Sequence, residues 1–386
     1  MGGAAGPLES TAITALVAAF GPGPAITTGV APGRCTLVGE HVDYADGWVL
    51  AVAVDRLVAV AARRSADGCW RLVSGARRVE RRDPQPCGDA ADRALAVAVA
   101  LERAGVAVPA VELGLAASLP EGAGLSSSAA LSCATAVALL RLSEKRLTAT
   151  QLAAVALVAE RDIAGIPCGP LDQRVVVGAP AGGALLLDCA PGGGEQPLSW
   201  RLDGVSLVVC DTGEAHDIGG GGYRSRRAEA DAALRALGAR SYRELDAAAV
   251  ASAHLPEPLD ARARHIVTET QRTLAAAAAL RAGDAAQLGR IMTASGASLR
   301  TDYAVTTAAL DACVDAALAV PGCLGARMVG GGFGGSAIAL VRLDAREACR
   351  VAMQAAVARL GGGSGRGAWV LSPAAGAALR APDVVG

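Results

Sequence analysis

A chain of 386 residues is long enough for two domains with sizeable cores. Its formal charge of −1 and the absence of any basic run exclude the electrostatic footprint of a nucleic-acid binder. Although 52% of the residues are apolar, no uninterrupted apolar stretch reaches the roughly 20 residues that a membrane-spanning helix needs, so no membrane partner is expected.

In chain order, the opening MGGAAGPLES has neither the basic n-region nor the apolar h-region of a secretory signal, and a cytoplasmic protein is expected. The first third alternates β-like runs with turns. Leu50–Val54, Leu57–Ala61 and Val111–Leu115 read as strands. A glycine-rich turn at 120–125 leads into a helix over 127–141, and a second helix is expected over 148–164. Gly183–Leu187 and Val205–Val209 are apolar enough for buried strands. The loop Pro191–Gly194 between them marks a candidate domain boundary. Helices follow at 223–237, 259–282, 285–299 and 307–319, then a strand–glycine loop–strand unit at 325–342 and a helix at 344–360. The glycine tract Gly361–Gly365 precedes a terminal strand near 368–371. The pattern is α+β, without the regular βαβ repetition of a doubly wound sheet.

The 10 cysteines are scattered singly, with no zinc-ligand spacing, and read as buried thiols in a reducing compartment. Arginine supplies nearly all the positive charge, and Lys145 is the only lysine. A Walker A loop, whose lysine grips the terminal phosphates, is therefore absent.

Three glycine-rich segments carry the chemistry. In Ala31-Pro32-Gly33-Arg34-Cys35-Thr36-Leu37-Val38-Gly39-Glu40-His41-Val42-Asp43-Tyr44, an apolar strand-like core runs straight into acceptors and a mixed donor. Such a cluster suits sugar hydroxyls, each of which both donates and accepts, and it equally suits a polar surface turn. In Leu119-Pro120-Glu121-Gly122-Ala123-Gly124-Leu125-Ser126-Ser127-Ser128, glycines expose backbone N–H groups just ahead of a helix N-terminus. That arrangement favours phosphate over a plain helix cap, because three serines are poor packing choices at the start of an apolar helix. In Val329-Gly330-Gly331-Gly332-Phe333-Gly334-Gly335-Ser336, the glycines imply close backbone approach, either to a ligand or to the second loop.

Taken together the three segments resemble the motifs of the GHMP small-molecule kinases, in the galactokinase branch. The likeness extends to Pro167-Cys168-Gly169-Pro170-Leu171-Asp172-Gln173, to His216 with Tyr223 and Arg226-Arg227, to Phe20 and Pro24, and to Ser298–Tyr303, so that it spans roughly residues 20–340. The resemblance implies a two-domain GHMP kinase fold. Its N-terminal domain would resemble ribosomal protein S5 domain 2 over residues 1–195. A ferredoxin-like C-terminal domain would cover 196–386, with the final strand returning to the first. It also implies ATP-dependent phosphorylation of a small-molecule sugar in the cleft between them, by a monomer or weak homodimer.

By the same resemblance, Gly122, Gly124, Leu125, Ser126, Ser127 and Ser128 would bind ATP, and Ser128 and Glu160 would hold Mg²⁺. Asp172 would be the base and Arg34 the cation that stabilises the transferring phosphoryl group. Glu40, His41, Asp43, Asp172 and Tyr223 would bind the sugar. Three features bear on substrate. Thr36 stands where the family has Asn, Pro170 lies two residues before Asp172, and Gly219–Gly222 gives Tyr223 a free tether. The aromatic pattern expected for adenine near 85–100 is missing. Galactose is the leading substrate. The alternatives are another hexose, an N-acetylhexosamine, a sugar-like cyclitol, or a non-catalytic sugar sensor.

Overall fold

The computed structural model describes residues 6–89, 91–120, 122–166, 168–214, 221–360 and 367–377, together with the backbone of 384–385. Pro167, His216, Gly219, Gly220 and the Gly361–Gly365 tract lie outside the described residues.

The two strands expected at 50–54 and 57–61 are one strand, β2 (Trp48–Arg64), and it is the spine of the first sheet. Its neighbour β1 (Thr27–Val38) pairs antiparallel along it, with Pro32 opposite Leu57 but Gly33 opposite Val54. Asp55 and Arg56 are thus extra residues in a bulge, which is why the apolar pattern breaks there while the strand continues. The bulge sits one residue before Arg34 and re-aims the end of β1.

The sheet continues through β3 (Trp70–Ser74), β4 (Arg77–Arg81), β5 (Val111–Ala117), β7 (Gly183–Asp188) and β8 (Glu195–Ser199), in the order β4-β3-β5-β2-β7-β8. A short parallel pair, β6 (Leu147–Thr148) with β14 (Val384–Val385), lies apart from it.

Helices α1 (Pro7–Phe20), α2 (Asp92–Arg103), α3 (Ser127–Leu142), α4 (Ala149–Leu157) and α5 (Leu171–Gly178) complete the first unit. Helix α3 is buried almost all round, as a helix of Ala, Val, Leu and Cys should be. It packs so closely on β1 that a Cβ at Gly29 would come within 2.0 Å of the Ala134 carbonyl. Leu125, just ahead of α3, is 1% exposed; burying such a side chain contributes about 1.5–3 kcal/mol and pins the loop before the helix to the core.

The second sheet is antiparallel, with β9 (Val205–Asp211), β10 (Cys323–Val329), β11 (Ser336–Arg342) and β12 (Gly367–Leu371) in the order β10-β11-β9-β12. Numbered from β9, that order reads 4-1-3-2 from the other edge, which is the ferredoxin-like arrangement. Helices α9 (Ala285–Thr301), α10 (Ala308–Leu318) and α11 (Arg346–Arg359) pack on it, whereas α8 (Leu259–Ala282) packs on β1, β2 and β8 of the first sheet, with α6 (Gly222–Ala236) and α7 (Ala247–Ala253) against α8. Among the described residues no helix is long and apolar enough to cross a membrane.

Two strands bear on how the chain divides. Strand β8, beyond residue 195, pairs with β7 of the first sheet. The terminal strand near 368–371 stays in the second sheet as β12, and it is β13 (Pro373–Ala374) that pairs with β2. We therefore propose that the first unit extends through Ser199.

Candidate active site

Strand β1 delivers Arg34 to a point where three segments meet. The Arg34 guanidinium donates from Nε to Asp172 Oδ1 at 2.8 Å and from Nη1 to the Gly124 carbonyl at 2.7 Å. Its backbone N–H donates to the Leu125 carbonyl at 3.1 Å. The other oxygen of Asp172 accepts from the Ser126 hydroxyl at 2.6 Å. Asp172 is therefore held on one side by the first glycine segment's strand and on the other by the second segment's loop. Its side chain remains 25% exposed, toward the cleft that it lines. Pro170 does not disturb it. The proline sits at the N-cap of α5, where no N–H is needed, and Asp172 falls in the first turn, where the helix dipole favours a carboxylate.

The loop before α3 alternates left-handed residues, with Gly122, Gly124 and Ser126 at φ of 74°, 69° and 58°. Ser126 is not glycine, so this backbone is strained, and its bond to Asp172 helps hold it. The first N–H groups of α3 have no intrahelical acceptor and point out of the helix end, making a nest for an anion. Gly122, Gly124, Ser126, Ser127 and Ser128 line one open cleft together with Glu40, Asp43, Asp172 and Tyr223. Of the residues expected from the sequence, only Leu125 is not on its wall. It is in the core, and its contribution is the carbonyl that receives Arg34.

Glu160 also lines the cleft. The helix expected over 148–164 ends as α4 and continues as one π turn, Val158–Ile163. The wider turn holds Glu160 at 3% exposure, where its carboxylate accepts from Gln173 Nε2 at 2.7 Å and from the Ser128 hydroxyl. Burial pushes its pKa up, against the pull of these donors. Two hard oxygen donors side by side, Ser128 at the start of α3 and Glu160 on the π turn, fit Mg²⁺, which keeps several waters and takes one or two protein ligands. The metal-like triad among the described residues, Cys87, Asp89 and Asp92, is by contrast occupied in bracing its own loop through Arg81 and backbone N–H groups.

Past β1 the chain turns sharply at His41, whose φ of 61° is again left-handed. His41 Nε2 must donate to the Gly331 carbonyl, 3.0 Å away, so in the neutral ring Nδ1 accepts from the Tyr44 hydroxyl at 3.1 Å. Tyr44 in turn takes a hydrogen bond from Tyr303 at 2.7 Å. Both ring nitrogens of His41 thus have protein partners, and its place is to tie the first segment to the third.

Glu40 is 3% exposed. Its Oε1 accepts from the Gly330 N–H at 2.7 Å and lies 3.7 Å from Arg327 Nη2, and burial raises its pKa. Asp43 is buried beside Asp172 and Glu40. Burial, followed by these two like charges, raises its pKa to about 7. Tyr223 stands on α6 rather than on a free tether, with its ring 5.5 Å from that of His41 and 5.7 Å from that of Tyr44.

The third glycine segment packs against the second. A Cβ on Gly124 would lie 2.9 Å from the Val329 carbonyl, and one on Gly330 would lie 3.1 Å from the Gly124 carbonyl. Close backbone approach between the two loops accounts for these glycines.

Several supports had no local signal. Arg327 is fully buried and donates to the Leu37 carbonyl at 2.9 Å. Glu269 on α8 accepts from the Gly39 N–H at 2.9 Å, and His265 Nε2 donates to the Glu40 carbonyl at 3.1 Å. These residues reach the turn from more than 200 positions away in sequence, and nothing near them marks a site. Tyr303, by contrast, belongs to a stretch already singled out. Thr36, the departure from the family pattern, is buried, and among the described residues its hydroxyl has no partner.

Comparison with known proteins agrees with this geometry. Residues 92–178 match the GHMP kinases N terminal domain, 276–359 the GHMP kinases C terminal domain, and 16–64 the galactokinase galactose-binding signature. The galactokinase of Roseiflexus sp. (strain RS-1) is 40% identical over 336 residues, covering 83% of this chain and 84% of the relative. That of Bos taurus is 36% identical over 365 residues, covering 90% and 91%. The crystal structure of Lactococcus lactis galactokinase complexed with galactose superposes with a TM-score of 0.87 at 29% identity, over 94% of this chain and 97% of that one. The mevalonate kinase of L. major, at 20% identity and a TM-score of 0.64 over 90% and 96% of the two chains, shares the fold.

Proposed function

The chain belongs to the galactokinase family of the GHMP kinases, and we propose that it transfers the γ-phosphate of ATP to the anomeric hydroxyl of galactose, giving galactose 1-phosphate. The observation that carries this reading is Asp172, bonded at once to Arg34 beside the sugar cluster and to Ser126 on the phosphate loop.

The chemistry follows from that position. The loop N–H groups from Gly122 to Ser128 hold the triphosphate, and Glu40, Asp43 and Tyr223 orient the sugar, with His41 holding the turn that presents Glu40 and Asp43 and α6 presenting Tyr223. As the hydroxyl oxygen bonds to the γ-phosphorus, its proton passes to Asp172 and the bond to the β-phosphate oxygen breaks, leaving ADP with the electron pair. Arg34 offsets the negative charge of the transferring group. Mg²⁺, which Ser128 and Glu160 would hold, supplies further charge neutralisation on the phosphates when bound.

The test is ATP consumption over galactose, its C2 and C4 epimers, N-acetylgalactosamine, arabinose and cyclitols, each with and without EDTA. Galactose is expected to give the highest kcat/KM, with the C4 epimer at least ~10²-fold lower, since wrong stereochemistry strands buried polar groups. EDTA should abolish turnover. Measurable galactose binding with no turnover of any acceptor would point instead to a sensor.

Asp43 gives a pH dependence of definite sign. Its carboxylate accepts sugar hydroxyl protons only when ionised, and its folded pKa is raised to about 7. In the sugar-free enzyme, therefore, kcat/KM for galactose should be on its plateau above pH 7 and fall about tenfold per unit below it. The sign for stability is the reverse: a raised carboxyl pKa contributes stability at low pH that is lost as pH rises through 7. Asp43→Asn should remove the acidic limb of the kcat/KM profile. If the limb persists unchanged in that variant, it belongs to another group.

A further inference from the structure

The triphosphate of ATP brings several negative charges into a cleft that, among the described residues, is already lined by the carboxylates of Glu40, Asp43, Glu160 and Asp172. Among the described residues two arginines line the same cleft, Arg34 and Arg93. The Arg34 guanidinium is committed to Asp172 and the Gly124 carbonyl. The only lysine in the chain, Lys145, lies beyond the far end of α3 and off the cleft wall.

Arg93 is the second residue of α2, exposed at the rim. Among the described residues no hydrogen bond or ion pair holds its guanidinium. Its charge reaches Glu160, yet the two do not meet as an ion pair. Both line the cleft together with Gly122, Ser127 and Ser128, so the space between them lies over the phosphate loop.

The base of the side chain is firm. Asp92 immediately before it accepts from Arg81 at 2.7 Å, from the Cys87 N–H at 3.1 Å and from the Gly88 N–H at 2.8 Å, which fixes the start of α2. Helix α2 then packs on α3 and on the π turn that carries Glu160.

We infer that Arg93 is a nucleotide-binding residue that grips the phosphate chain of ATP from the rim opposite the loop N–H groups. This rests on the placement of ATP on the 122–128 loop proposed above. A guanidinium is suited to the task because its planar fork bonds two phosphate oxygens at once and it cannot lose its charge. A role toward the sugar is disfavoured by position, since the charges governing Asp43 are those of Asp172, Glu40 and Arg34.

The experiment compares the parent protein with Arg93→Ala and Arg93→Lys. The measurements are steady-state kinetics in both substrates, inhibition constants for ADP and adenosine, and thermal unfolding. For Arg93→Ala, the KM for ATP and the inhibition constant for ADP should each rise about tenfold, the scale of one charge-assisted contact at an exposed rim. The galactose KM, kcat and adenosine inhibition should change less than about threefold, and the Arg93→Lys variant should recover part of the loss because it keeps a point charge. An exposed, unpaired residue should not affect unfolding.

An unchanged KM for ATP would overturn the inference, as would an equal loss for adenosine, which would mean contact with the base. Parent protein that turns over ATP but whose ATP KM is insensitive to Ser127→Val would unseat the loop placement itself, a result separable from that at Arg93.

Discussion

Asp172→Asn is expected to lower kcat by at least ~10²-fold, the usual scale for removal of a positioned general base. The amide keeps the size of the side chain but cannot take a proton from the attacking hydroxyl. It also removes the counter-charge of Arg34, which is 6% exposed and bonded through Nε to Asp172. Losing one partner of such a pair costs stability, about 1–3 kcal/mol here, because Asp172 is partly solvated and Arg34 retains the Gly124 carbonyl. Calorimetric binding of ADP and galactose, measured below the lowered melting temperature, separates the two effects. Affinities should stay within about threefold of the parent while kcat falls, because the contribution of a base is made in the transition state. Near-normal kcat would remove Asp172 from the base role and leave it as a tether between Arg34 and Ser126.

The parts of this site that were legible in the sequence are those whose function needs consecutive residues. A phosphate nest needs alternating backbone conformations, and only a run such as Gly122-Ala123-Gly124 followed by serines supplies them cheaply. Arg34, Glu40 and Asp43 are likewise packed onto one strand end and its turn. The illegible parts are set by contacts at long range. Helix α2 escapes a reading by periodicity because its apolar residues form one continuous run, Ala94–Leu101, which fits a buried helix or a buried strand equally. The single strand β2 looked like two because its bulge residues, Asp55 and Arg56, are polar. The π turn at Glu160 leaves no mark in sequence, because it differs from an α turn by one residue of spacing. Arg327, Glu269 and His265 reach the Gly39–Glu40 turn across the fold, so their roles exist only once both units are assembled.

Gly169 shows how a residue in a recognised motif can have a physical reason that the motif does not state. Its backbone is not in the left-handed region, so conformational freedom is not the requirement. A Cβ there would lie 1.8 Å from Asp43 Oδ2 and 2.9 Å from its Cγ, and the three nearest atoms all belong to Asp43. The colliding group is the end of one side chain, so the fold yields there by turning the carboxylate away. Gly332 is the opposite case. A Cβ there would meet the Val305 carbonyl at 2.2 Å with φ at 74°, and the backbone itself would have to move.

Gly169→Ala is therefore expected to raise the galactose KM by about 10- to 100-fold, the worth of hydrogen bonds to a charged acceptor, and to leave the KM for ATP within about threefold. Its melting temperature should fall by no more than a few degrees, since no backbone contact is lost. The decisive control is the double variant. If the methyl acts only by displacing Asp43, then adding Gly169→Ala to Asp43→Ala costs nothing further, and the two changes are strongly non-additive. Equal losses in both backgrounds would mean that the 168–169 loop touches the sugar directly, and Asp43 would no longer explain why glycine stands there.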